Sequence, residues 1–197
     1  MPKIKLPRNS PSIDMTPMVD LGFLLVTFFM LTTQFRPDEP VSADTPSSIS
    51  EIKIPEKDMM IVTVDENNRV FYTFDGQENR KTVLNNMSGK YGVGFSDEEV
   101  ATFSNLTSFG VPINQLKGWL NLEGSERKEY PQPGIPIDSL SNEFSDWIYF
   151  SRITNPRYRV AIKGDRMADY KVIKEVIKTL GDNKVYKFNL ITDMKLE

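Results

Sequence analysis

The chain contains no cysteine and no histidine. Without Cys there are no disulfides and no thiol nucleophiles, and without both there is no Cys/His zinc site and no Ser-His-Asp triad. Lack of His also leaves proton handling near neutral pH to carboxylates or lysines in perturbing surroundings. The missing Cys says nothing of compartment, because a domain large enough to build a core needs no staple. Neither sign of charge dominates: 24 Lys and Arg face 27 Asp and Glu, a net charge of −3. No Lys/Arg-rich face suited to phosphates emerges, so nucleic acid is not expected as a partner. Long apolar runs are scarce too, with one exception.

That exception is Pro17 to Phe35, PMVDLGFLLVTFFMLTTQF. Its nineteen residues would rise about 28 Å as a helix, against a bilayer hydrocarbon core of roughly 30 Å. Pro17 suits a first helical turn, where its missing N–H goes unused, and Arg36-Pro37 ends the run with a charge and a breaker. A cleavable signal peptide is the rival reading, since Lys3, Lys5 and Arg8 precede the run. Thr-Thr-Gln-Phe-Arg-Pro offers no small-x-small cleavage site, however, and an acid inside the run suits a signal peptide poorly. A retained transmembrane helix over 17–35 is therefore expected. Lys3, Lys5 and Arg8 before it, against Arg36 with Asp38, Glu39 and Asp44 after it, place the N-terminal tail 1–16 in the cytoplasm and the bulk outside.

Asp20 lies inside this apolar run. A carboxylate there can have a bland reason: near one end of the span it reaches the interface, or profits from the helix dipole. Intramembrane acids more often face a cavity or bundle interior and mark ion pathways. A desolvated carboxyl can take up a proton from one side and lose it to the other. Asp20 is thus the candidate proton-relay residue. Thr27, Thr32 and Thr33 are weaker polar signals, since Thr in a span commonly bonds its own helix backbone.

Residues 36–57 are rich in Pro, Ser and acids and read as a linker, within which Glu51 to Pro55 alternates like a short edge strand. Met59–Val64 and Arg69–Phe74 flank Asp65-Glu66-Asn67-Asn68 as a hairpin. That turn lacks the Gly and distal Glu of a calcium loop. In the middle region, about 76–136, Ser96-Asp-Glu-Glu99 is a capping box before Val100, Phe103 and Leu106. Pro112 opens another helix, with Ile113, Leu116, Trp119 and Leu120 on one face. Gly89, Gly92 and Gly94 read as turn residues, and Glu123 to Gly134 as a surface loop. A helix is expected over Ser139–Ile153, a strand over Tyr158–Lys163, a helix over Tyr170–Leu180 ended by Gly181, and a strand over Val185–Thr192. The fold class is α+β: one N-terminal transmembrane helix, then a domain over 58–197 with a mixed sheet and two or more packed helices. No catalytic constellation, cofactor site or metal site emerges, so an enzyme is not expected.

Ile13-Asp-Met-Thr-Pro-Met-Val-Asp20, followed by Leu21-Gly-Phe-Leu-Leu-Val26, resembles the start of the ExbD/TolR biopolymer-transport family. Tyr158-Arg-Val-Ala-Ile-Lys-Gly-Asp165, Asp169-Tyr170, Gly181 and Asn189-Leu-Ile-Thr192 resemble that family's last strand, helix and strand. Ile52-Lys-Ile-Pro55 is similar to its short strand before the folded domain. The resemblance covers roughly 10–75 and 137–193 and departs in the middle, where family members usually pass almost directly from hairpin to helix. It implies an ExbD-like subunit of an inner-membrane, proton-driven motor with a periplasmic C-terminal domain. Its partners would be an ExbB-like polytopic subunit, a second copy of itself and a TonB- or Tol-type periplasmic protein. Asp20 takes the family's relay position, and it is the one residue carried over. From the alternation of Glu51 to Pro55, Ile52, Ile54 and Pro55 are expected to contact the second copy, as the resemblance also suggests. A MotB-like stator would need a peptidoglycan-binding domain whose signature is not found. The alternative from the residues alone is a membrane-anchored interaction module without ion coupling.

Overall fold

A computed structural model describes residues 15–32, 47–48, 57–138, 142–191 and 193–194. The chain divides into two units, Met1–Pro37 and Asp38–Glu197. The described part of the first is one helix, α1 (Thr16–Thr32). It starts one residue before Pro17, with Met15 O accepting from Met18 N and Val19 N. Its 17 residues rise about 26 Å. Among the described residues no helix is long and apolar enough to cross a membrane; Thr33 to Phe35, the end of the expected span, lie outside the described residues.

The second unit holds a four-stranded sheet in the order β3-β2-β4-β5, from β2 (Met59–Val64), β3 (Val70–Phe74), β4 (Arg159–Gly164) and β5 (Phe188–Ile191). The β2–β3 hairpin is antiparallel, whereas β4 lies parallel to both β2 and β5, so the sheet is mixed as expected. The hairpin turn is built by Asp65. Its carboxylate accepts from the backbone N–H of Asn67 and Arg69, and pairs with the Arg69 guanidinium at 2.6 Å. Asn68 takes the left-handed conformation, φ 64°. The Asp65 oxygens are thus committed to the turn rather than to an ion.

The core lies on one face of the sheet. Met60, Val62 and Val64 of β2, Val70, Tyr72 and Phe74 of β3, and Val160 and Ile162 of β4 are buried there in register. Helices complete it: α2 (Gln77–Tyr91), α3 (Asp97–Asn105), α4 (Ile113–Leu120), α6 (Glu143–Thr154) and α7 (Tyr170–Asp182). α3 has the expected capping box, with Ser96 accepting from Glu99 N and Glu99 from Ser96 N. α4 buries Ile113, Leu116, Trp119 and Leu120.

Several expectations change. α2 was not anticipated; it carries only Val83, Leu84 and Met87 as buried residues, too few to show a helical period. Gly89 lies inside it, and only Gly92 is a turn glycine, closing α2 at φ 68°. A short helix, α5 (Gly124–Glu129), occupies part of the presumed surface loop. α6 begins at Glu143, where Asn142 accepts from Ser145 N, rather than at Ser139; residues 139–141 lie outside the described residues. α7 runs through Gly181 and is capped at Asn183, because Lys184 supplies the positive φ of 61° that Gly181 was expected to supply. The last strand starts at Phe188, not Val185. Within the linker, β1 (Ser47–Ser48) pairs in parallel with β6 (Asp193–Met194).

The region 76–136 is not an appendage. Phe103 and Phe109 pack on Trp147 of α6, with ring centroids 5.8 and 4.8 Å away. The buried Glu143 carboxylate of α6 accepts from Ile113 N at 2.9 Å, satisfying a first-turn donor that Pro112 cannot cap. Burial pushes the Glu143 carboxyl up from the ordinary range. Asp146 accepts from Tyr91 OH at 2.7 Å and pairs with Lys90, tying α6 to α2.

Candidate functional site

Asp20 is the fifth residue of α1 and its one charged side chain. Apolar residues surround it on every side of the helix: Met18, Val19, Leu21, Phe23, Leu24, Leu25, Val26, Phe28, Phe29, Met30 and Leu31 are all exposed. A helix apolar all round has no water-facing side, which fits a place inside a larger bundle or a bilayer rather than a water-washed surface. Asp20, Phe23, Leu24 and Thr27 share one face by their i, i+3, i+4 and i+7 spacing. The Thr27 hydroxyl donates back to Phe23 O at 2.9 Å and Leu24 O at 3.0 Å. Thr32 bonds Phe28 O at 2.8 Å in the same way. Both hydroxyls are spent on their own helix, as expected for Thr in apolar surroundings. Thr33 lies outside the described residues. Among the described residues of α1, Asp20, two turns before Thr27, carries the one ionisable side chain.

Ile52, Ile54 and Pro55, the candidate contact strand, lie outside the described residues. Several titratable groups of the domain are tied into its fold. The buried Glu99 is pushed up by desolvation, but hydrogen bonds from Ser96 N and Asn121 Nδ2 and the nearby Lys117 outweigh it and leave the carboxyl below its ordinary value. Asp58 accepts from Asn155 Nδ2 at 2.7 Å and Asp75 from Met59 N at 3.2 Å, which fastens the two ends of an open cleft beside Asn79. Among the described residues no group of acids could hold a metal ion.

Sequence reasoning missed Arg80, Phe109, Gln132 and Ile135, which sit along the outer edge of β3. Arg80 Nε donates to Phe74 O at 2.7 Å, Phe109 bridges Tyr72, and Ile135 N donates to Val70 O at 2.8 Å. Their signals were the Gly110 and Gly134 punctuation and the Pro-rich 131–136 run, neither of which names a partner strand.

No curated protein and no solved structure matches the chain. A family model described as biopolymer transport protein ExbD/TolR matches residues 7–195. That match includes the helix bearing Asp20 and crosses the middle region that the resemblance from motifs alone had left out. With its start, sheet and final strands inside one continuous match, the chain belongs to the ExbD/TolR family of biopolymer transport proteins.

Proposed function

We propose that the chain is the ExbD-like subunit of an inner-membrane proton-channel motor, coupling the proton motive force to a TonB- or Tol-type partner. The observation that carries this reading is Asp20, the one ionisable group on a helix apolar on all sides. With no His in the chain, proton transfer at this helix rests on that carboxyl. The helix would continue past Thr32 to Phe35, crossing the bilayer beside an ExbB-like polytopic subunit that covers its apolar surface. One charge moved through 100 mV releases about 2.3 kcal/mol, enough to bias a conformational step. The reading is tested by Asp20→Asn, in which assembly should persist while energised transport is lost.

In this reading the N-terminus is cytoplasmic and the domain periplasmic. A C-terminal alkaline phosphatase fusion should be active. A stably made but inactive fusion would reverse the orientation.

Two copies would assemble, with Glu51 to Pro55 of one chain offering its alternating Ile52 and Ile54 to the sheet of the other by strand addition. Replacing both with Asp places charge on the buried side of that strand. Cross-linking of the two copies in intact membranes should fall, while the domain's unfolding midpoint stays unchanged. Unaltered cross-linking would move the contact to another part of the chain.

A further inference from the structure

We propose that the middle region, 76–136, acts as a built-in strand partner for β3, closing that edge of the sheet to any other chain. A second copy joining the sheet is left with β5. This rests in part on the two-copy assembly above, and the two ideas fail separately in the experiment below.

An edge strand presents unpaired N–H and C=O groups that template pairing with another chain. Register with β2 turns Val70, Tyr72 and Phe74 outward in their hydrogen bonding, since Tyr72 N donates to Phe109 O at 2.8 Å and Tyr72 O accepts in return from Phe109 N at 3.1 Å. Val70 O accepts from Ile135 N at 2.8 Å. Phe74 O accepts from Arg80 Nε at 2.7 Å, and Arg80 Nη1 reaches Ser104 O at 3.1 Å. All three outward carbonyls are thus taken, and each donor comes from the middle region: the head of α2, the α3–α4 connection and the Pro-rich run after α5.

The closure is held tightly. Gly110 N donates to the buried Gln132 Oε1 at 2.7 Å, Gly134 N to Gly110 O at 2.7 Å, and Arg69 Nη1 to Gln132 O at 3.1 Å. A Cβ on Gly110 would lie 2.4 Å from the Phe71 ring, and one on Gly134 would lie 3.0 Å from Val70 N at a φ of +93°. Gly110 thus leaves room for the Phe71 ring, and Gly134 lets backbone approach backbone at a positive φ. The covering run cannot itself become a new edge: Pro131, Pro133 and Pro136 carry no N–H to continue a ladder. β5 differs. Among the described residues no strand pairs with its outer side, although β1 pairs with β6 just beyond it, and Leu190 is exposed.

Hydrogen exchange on the full chain in detergent, followed by mass spectrometry at a dissociating and an associating concentration, tests this. The Tyr72 amide, the outward N–H of β3 that donates to Phe109 O, should be as protected as the amides of β2 at both concentrations, whereas those of β5 should slow about tenfold or more on association. Gly134→Val should speed exchange at Ile135 and Tyr72, whose amides hold the covering run on β3, about tenfold or more while β2 and β4 stay protected. Gln132→Ala, which removes one side-chain acceptor and no backbone bond, keeps the test open if the first variant does not fold. Fast exchange at Tyr72 in the unaltered chain, its slowing on association, or no effect of either variant that folds would overturn the closure. Protected Tyr72 with β5 unchanged on association would overturn only the assignment of the second copy to β5.

Discussion

Asp20→Asn is expected to give a chain that is made, inserted and assembled normally but supports no energised transport. Asn matches Asp in size and hydrogen-bonding reach, so packing of α1 against the proposed polytopic subunit would be preserved. It differs in the one property the proposal needs, the ability to bind and release a proton. Because α1 has no other ionisable group and the chain has no His, no neighbour on the same helix can take over. Uptake through the outer membrane, or envelope integrity for a Tol-type system, should drop to the background of cells lacking the chain. Recovery of the variant with the proposed polytopic subunit should be unchanged. Asp20→Glu keeps the carboxyl but moves it by a methylene, and should retain part of the activity. Normal transport by the Asn variant would leave α1 as a plain anchor and turn the protein into an interaction module.

Trp147→Ala should produce the largest loss of stability in the folded domain. Trp147 is fully buried on α6 between Phe103 and Phe109, and the latter two rings also contact each other at 5.1 Å. Truncating such a side chain removes its transfer free energy and leaves a cavity, together about 3–5 kcal/mol. That is a large share of the 5–15 kcal/mol typical of a domain, and should lower the urea midpoint by about 2 M. Since two of the three rings come from the middle region, the same substitution should loosen α3 and the connection that closes β3. Tyr149→Ala, two positions along α6 but exposed, should change stability by less than about 0.5 kcal/mol. A midpoint for Trp147→Ala close to that of Tyr149→Ala would mean that the middle region packs independently of α6.

What could be read from the sequence was local in origin. The capping box of α3 needs only Ser96 and Glu99, and the buried face of α4 repeats at helical spacing over eight residues. The hairpin follows from alternation around one acidic turn, and Asp20 is conspicuous wherever its neighbours are apolar. What escaped was either weakly patterned or non-local. α2 has a mostly polar sequence and no side-chain N-cap, so it forms because Val83, Leu84 and Met87 find a core that other elements supply. The closure of β3 joins Arg69 to Gln132, 63 positions apart, and Ser47–Ser48 pairs with the far end of the chain. Such pairings leave no periodicity in either segment. Gly181 misled because a helix can find its left-handed residue three positions later, at Lys184.

Proton movement itself tests the central claim most directly. The chain, purified with the polytopic subunit proposed to accompany it and reconstituted in vesicles holding a pH-sensitive dye, should carry protons across the membrane when a potential is imposed. The same preparation with Asp20→Asn, matched for protein content, should leave the dye signal at the level of empty vesicles. Equal proton flux in the two preparations would contradict Asp20 as the relay.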